Sequence, residues 1–187
     1  MLVKKFNAIC SLMLTAALCL HLATMSYSMI TGWYDYNICK NFAHAAAYIA
    51  AMHVATCLFI LFFMNDGSDC RNYKYLKRKC IVQRASGLVV IALLHLHVKA
   101  FEFIVSGEAL SSAEKAWILI TEIIFFGAIF MHLAVSFKNS LISLGIIRSD
   151  ASEKDTGKIS CIICFILFAL AFGALFYFVI NWNGFAG

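Results

Sequence analysis

Proline is absent from this chain of 187 residues, and only 13% of its residues are charged. The lack of proline removes the commonest cause of a helix kink. The shortage of charge excludes an ordinary soluble domain, which carries about a quarter charged residues. What fills the chain instead is apolar: 63% of residues are hydrophobic and the mean hydropathy is +0.85. Little mass is left for extramembrane domains.

Runs of about 20 apolar residues read as membrane-spanning helices. Five such runs occur, over about 6–31, 41–64, 82–105, 115–138 and 158–181. The expected fold is therefore an all-α membrane protein, residues 1–187 forming one transmembrane domain. Lys4 and Lys5 before the first run raise the alternative of a signal peptide. That run is too long for an ordinary signal core, and no clean small-x-small cleavage site follows it, so a retained helix is expected.

Loop charge predicts orientation. Lys4 and Lys5 lie at the N-terminus; Arg71, Lys74, Lys77, Arg78 and Lys79 crowd the second loop; Arg148, Lys154 and Lys158 mark the fourth. The first loop offers Lys40 and Asp35, and the third Glu108, Glu114 and Lys115. By the positive-inside rule the N-terminus and the second and fourth loops are cytoplasmic, and Trp182 sits at the outer interface. The net charge of +5 follows from this asymmetry and implies no nucleic acid. It suits the inner face to a protein partner or anionic lipid.

The eight cysteines imply no disulfide framework. Cys10, Cys19, Cys57, Cys161 and Cys164 fall within spans, Cys70 and Cys80 on the reducing side, and Cys39 alone near the outside. The Cys161-x-x-Cys164 pair on an apolar helix reads as packing.

The six histidines carry the chemistry: His21, His44, His53, His95, His97 and His132 distribute over the first four spans, and the fifth has none. Ionisable groups inside a bilayer are costly and mark function. Helical geometry then sorts them. His95 and His97 point about 200° apart, and His44 and His53 about 180° apart, so one of each pair faces a bundle centre. Small residues flank three of the six: Ala17 and Thr24 beside His21, Ala46, Ala50 and Cys57 beside His53, Ala128 and Ser136 beside His132. Depth sorts them again. His21 lies roughly 24 Å from Lys5 and His97 roughly 20 Å from Arg84, both in the outer half. His53 lies roughly 16 Å, and His132 roughly 8–10 Å, from the inner ends of their helices. The set forms two tiers, His21 with His97 and His53 with His132, each joining alternate helices. In an up-down bundle these are diagonals, and facing imidazoles are what a bis-histidine haem needs. Structural zinc needs four ligands at one point, which two pairs at two depths do not supply.

Gln83-Arg84-Ala85-Ser86-Gly87, followed by His97-Val98 thirteen residues after the arginine, resembles the third helix of the di-haem cytochrome b anchors of succinate:menaquinone oxidoreductases and quinol:fumarate reductases. Tyr73-Lys74-Tyr75-Leu76 is similar to the approach to that helix. His53-Val54-Ala55, about thirty residues before Arg84, and His132, thirteen residues before Gly145-Ile146, also match the family's spacing. His21 matches by position only. The chain is somewhat shorter than the family, with clipped loops.

The resemblance implies a first-four-helix bundle around two haem b groups. One is held by His53 and His132 near the cytoplasmic subunits, the other by His21 and His97 towards the quinone site. It implies a flavoprotein partner with FAD and an iron–sulfur partner, where the succinate–fumarate chemistry occurs. This subunit passes electrons to or from a membrane quinone such as menaquinone, in the cytoplasmic membrane of a prokaryote. Dimerisation of the whole complex is left open. Arg84 and Gln83 at the inner start of the third helix, and Lys138, are candidates to hold a haem propionate, with headgroup anchoring as the alternative for Arg84. Glu122, Glu102, Lys99 and His44 are candidates for quinone binding and proton movement. Snorkelling to the interface is the alternative for Lys99 and Glu102. Two other readings stay open: a cytochrome b anchor of a formate dehydrogenase or hydrogenase, and a small transporter or scaffold whose histidines only pack.

Overall fold

The computed structural model describes residues 2–63, 74–106 and 110–181. Cys70, Arg71, Tyr73, Glu108 and Trp182 lie outside the described residues. Five helices follow in order: α1 Leu2–Thr31, α2 Tyr36–Phe63, α3 Lys74–Ser106, α4 Ser112–Ser143 and α5 Asp150–Ile180. All five are long and apolar enough to cross a membrane. The protein is an all-α, multi-pass membrane protein.

Each helix starts before the edge expected from hydropathy, most of all α3 and α5. The physical reason is that a hydropathy window finds only the part that crosses hydrocarbon. That layer needs about 20 residues, while these helices have 28 to 33. The charged starts of α3 and α5 continue the helix where water and headgroups meet it.

Side-chain chemistry sets the ends. Ser111 caps α4 through a reciprocal capping box with Glu114, and Ser149 caps α5 by accepting from the Ser152 N–H. Gly145, at φ +77°, closes α4 in a Schellman turn: Ile146 N–H bonds Leu141 O and Gly145 N–H bonds Ile142 O. Such a turn favours glycine, which reaches positive φ without a Cβ clash. Gly32, at φ +74°, ends α1 in the simpler left-handed cap, its N–H bonding Ser28 O at 2.9 Å.

The helices alternate in direction. Thr56 of α2 meets Asn7 at the start of α1, and Cys39 meets Ser28 near its end. Neighbours in space are α1 with α2, α3 with α4, α4 with α5, and α1 with both α4 and α5. Among the described residues α2 and α3 do not approach each other, nor do the backbones of α1 and α3 or of α2 and α4. The first four helices thus form a bundle with its α2–α3 side open, and α5 braces the α1–α4 side.

Packing follows that plan. Ala100 and Ile104 of α3, Ile118 of α4 and Leu175, Phe178 and Val179 of α5 bury one another in the main core. On α1 the buried positions are mostly small, including Ala8, Cys10, Ser11 and Ala17, which allows close helix approach without bulky ridges. α2 buries only Cys39 and Ala46. Large apolar side chains, such as Phe62, Leu88, Ile120 and Phe165, are exposed all round the bundle, as lipid requires.

Candidate functional site: two imidazole pairs across the bundle

The diagonals that lack backbone contact are bridged by histidines. The rings of His21 and His97 stand with centroids 6.5 Å apart at 84°. Those of His53 and His132 stand 6.4 Å apart at 77°. All four are half-buried, while His44 and His95 are exposed, His44 lying edge-on to Tyr48. The structure brings together the four histidines that face and depth selected, in the same two pairs. The His53–His132 pair lies nearer the end of the bundle where Lys4, Lys5, Arg84 and Lys158 cluster; the His21–His97 pair is the far pair.

The spacing has chemical content. A metal midway between two imidazoles, with metal–nitrogen bonds of about 2.0–2.1 Å, sets the ring centroids roughly 6.3 Å apart. Rings packing as an ordinary edge-to-face pair fall in the same range, about 4.5–7 Å, so separation alone does not decide. The surroundings add more.

His132 is held from α3. Its Nδ1 donates to the Gln83 carbonyl at 3.0 Å, and Ser86 Oγ lies 3.4 Å from the same nitrogen. A carbonyl only accepts, so Nδ1 carries the hydrogen and Nε2 keeps its lone pair for a ligand. Gly87 touches the ring: a Cβ there would stand 3.2 Å from Cε1 and 3.3 Å from Nδ1. Three members of the Gln83-Arg84-Ala85-Ser86-Gly87 segment therefore seat His132, a role invisible along the chain because they lie some fifty residues away.

His97 is held from α4. Its Nδ1 lies 2.8 Å from Glu122 Oε2, and its ring stacks on Phe125 at 4.6 Å and 22°. Glu122 and Phe125 are three apart on one helix face. Glu122 is buried, and its Oε1 has no partner.

His21 and His53 differ. Each buries its Nδ1 without a hydrogen-bond partner. His53 Nε2 lies 3.7 Å from Cys57 Sγ, which in turn donates to Asn7 Oδ1 at 3.5 Å; Thr56 donates to the same oxygen at 2.6 Å. A buried polar atom left unpaired costs about 1–3 kcal/mol. Two such nitrogens, one in each pair, are open donor or acceptor positions beside a second imidazole.

Among the described residues, no group of three or more His, Cys, Asp or Glu side chains gathers at one point. A four-ligand protein zinc site is not built here. Two imidazoles per site, each pair spanning a diagonal, fit a metal whose remaining ligands come from a macrocycle. The small residues Ala17 and Ala128 beside His21 and His132 are buried, and the α2–α3 side is open.

The other expected residues fall as follows. Arg84 is exposed at the start of α3, and the Gln83 side chain accepts from Asn139 at 3.1 Å. Lys138 is buried against α5, where it pairs with Glu153 and abuts Gly157. Lys99 and Glu102 are exposed and not gathered with the histidines. Glu122, expected as a quinone or proton group, is bonded to His97. Cys161 and Cys164 are free thiols. Sequence reasoning missed Phe125, Asn7 and the seating role of Gly87. The equal depth of Glu122 and His97 on antiparallel neighbours was the one signal for their bond.

A scan against protein-family models returns no match for this chain, and searches of curated proteins and of solved structures return none either. Fold and site together define the class, a multi-pass helical membrane protein with two transverse imidazole pairs. Beyond that class the residues themselves carry the reading.

Proposed function

We propose that the chain is the cytochrome b membrane anchor of a succinate:quinone oxidoreductase-type complex, binding two b haems and passing electrons between an iron–sulfur subunit and a membrane quinone. The observation that carries this is the pairing of His21 with His97 and of His53 with His132 across both diagonals. Iron porphyrins held by these pairs would supply one-electron redox chemistry at two depths of the apolar layer. The protein's own work is to hold and shield. Gln83 O fixes the tautomer of His132, Glu122 bonds His97, and Phe125 fixes the plane of the His97 ring.

The resemblance of the Gln83–Gly87 segment favours this complex over other quinone-linked dehydrogenases, and that segment packs on a candidate ligand. Arg84, exposed beside Gln83, is the propionate candidate of choice, since Lys138 is engaged by Glu153. Lys99, Glu102 and His44, exposed towards the far end, are the candidates for quinone and proton contacts. The basic end faces the cytoplasm of a prokaryotic cell, where a flavoprotein and an iron–sulfur protein dock.

A pyridine haemochrome assay on the purified chain tests the reading. Two b haems per chain are expected, and none overturns it. Co-purification separates the neighbouring possibilities: a flavoprotein with an iron–sulfur protein supports this complex, and a formate dehydrogenase or hydrogenase moves the anchor to another enzyme.

A further inference from the structure

We propose that Glu122 is a positioning residue for His97: its carboxyl group accepts a hydrogen bond from Nδ1–H, which would leave Nε2 free for a metal and would strengthen that imidazole as a donor. The inference rests on the di-haem reading above and assigns within it a role to a side chain first expected at the quinone.

The geometry is specific. Glu122 is 3% exposed, its Oε2 is 2.8 Å from His97 Nδ1, and its Oε1 is buried with no partner. Among the described residues no lysine or arginine pairs with it. A carboxylate in the apolar layer without a cation is expensive and marks function. Among the described residues its one polar contact is an imidazole nitrogen, so its field acts on that ring. Phe125, one turn further along the same face of α4, stacks on the ring. Together the bond at the ring edge and the stack on its face restrict both rotations of the imidazole.

The basic-end pair provides an internal control. His132 Nδ1 meets a neutral carbonyl, Gln83 O, at 3.0 Å. A hydrogen bond to an ionised acceptor is roughly twice as strong as a neutral one. A metal-bound imidazole bonded to carboxylate becomes more basic, and losing such a partner typically weakens metal binding about 10–100-fold. A stronger donor also favours the oxidised metal. Removing the carboxylate therefore raises the reduction potential of the far site and leaves the other site alone.

The test is Glu122→Gln, which keeps size and shape and removes the charge. Redox titration followed optically, with haem content measured in parallel, is expected to show one of two potentials raised, the other unmoved, and the affected haem held about 10–100-fold more weakly. Glu122→Asp keeps the charge and should show a smaller shift of the same potential. Two bound haems with both potentials unchanged in Glu122→Gln overturn this inference and leave the di-haem reading standing. A wild-type chain that binds no haem overturns the di-haem reading itself. Should the Gln variant not accumulate, the near-infrared charge-transfer bands of the oxidised wild-type protein carry the test. Two resolved bands, one displaced as a strengthened imidazole donor requires, support the proposal; a single coincident band overturns it.

Discussion

His97 and His132 have their Nδ1 atoms bonded across the α3–α4 interface, whereas His21 and His53, on α1 and α2, bury theirs without a partner. Each tier thus contains one imidazole whose Nδ1 is held by the neighbouring helix and one whose Nδ1 has no partner, although His53 also touches Cys57 through Nε2. The difference comes from what the neighbouring helix offers. α3 turns the Gln83 carbonyl and the bare backbone of Gly87 towards His132, and α4 turns Glu122 towards His97. α1 and α2 offer each other Asn7, Thr56 and Cys57, which satisfy one another. A ligand shared by the two rings of a tier is then met by one fixed nitrogen and one adjustable one. Preorganising one partner lowers the cost of binding, and the freedom of the other accommodates the ligand.

The largest effect that could break this comparison is loss of a ring. His97→Ala or His21→Ala is expected to remove the far haem, and His53→Ala or His132→Ala the basic-end haem, reducing the haemochrome count from two to one. His44→Ala and His95→Ala should retain both, because those rings are exposed outside the bundle. Loss of haem from His95→Ala with none from His97→Ala would sink the assignment.

A smaller effect is expected at Gly87. A methyl there already stands 3.2–3.3 Å from the His132 ring. Gly87→Val adds branches in a filled space, which costs about 1–3 kcal/mol. The basic-end haem should bind more weakly, while the far haem keeps its spectrum. Equal weakening of both would mean that the tiers are not independently seated.

The Lys138–Glu153 pair tests a different contrast, between the braced and the open sides of the bundle. Lys138 is 9% exposed and Glu153 41% exposed in their side chains. Glu153→Gln strands a buried ammonium and should lower stability by about 1–3 kcal/mol. Thermal unfolding in detergent measures it. The Lys138→Met, Glu153→Gln double variant should recover part of the loss, with both haem spectra unaltered. A changed haem spectrum would return Lys138 to the haem sites.

The smallest effect is expected from Ser86→Ala. The hydroxyl donates to Val82 O at 2.7 Å on its own helix, and its approach to His132 is longer. Such local back-bonding contributes little to a helix. Stability within about 0.5 kcal/mol of wild type and both haems bound are the expected outcome. Loss of the basic-end haem would show that the hydroxyl, and not the Gln83 carbonyl alone, orients the ring.

Legibility in the sequence was uneven for identifiable reasons. The five helices, and the rule that one of His95 and His97 and one of His44 and His53 faces inward, follow from period and rise within single helices; His53 is picked out by its small neighbours and His97 by the resemblance of the Gln83–Gly87 segment. Period and rise need no knowledge of neighbouring helices. The helix starts were misjudged where charged residues prolong α3 and α5 beyond hydrocarbon. The partner of Lys138 was not legible, because Glu153 lies on α5, beyond a turn whose closure depends on Gly145. Gln83 was singled out for its side chain, yet its backbone carbonyl holds His132. A main-chain acceptor leaves no trace in residue type.

What the chain determined unaided is a set of long apolar helices and the depth and face of each histidine, because hydrophobic transfer and helical geometry act locally. Which imidazole meets which acceptor, which side of the bundle stays open, and that Glu122 bonds a histidine were decided only by packing. Those choices depend on how helices turn about their axes once small residues let them approach, and no single helix contains that rotation.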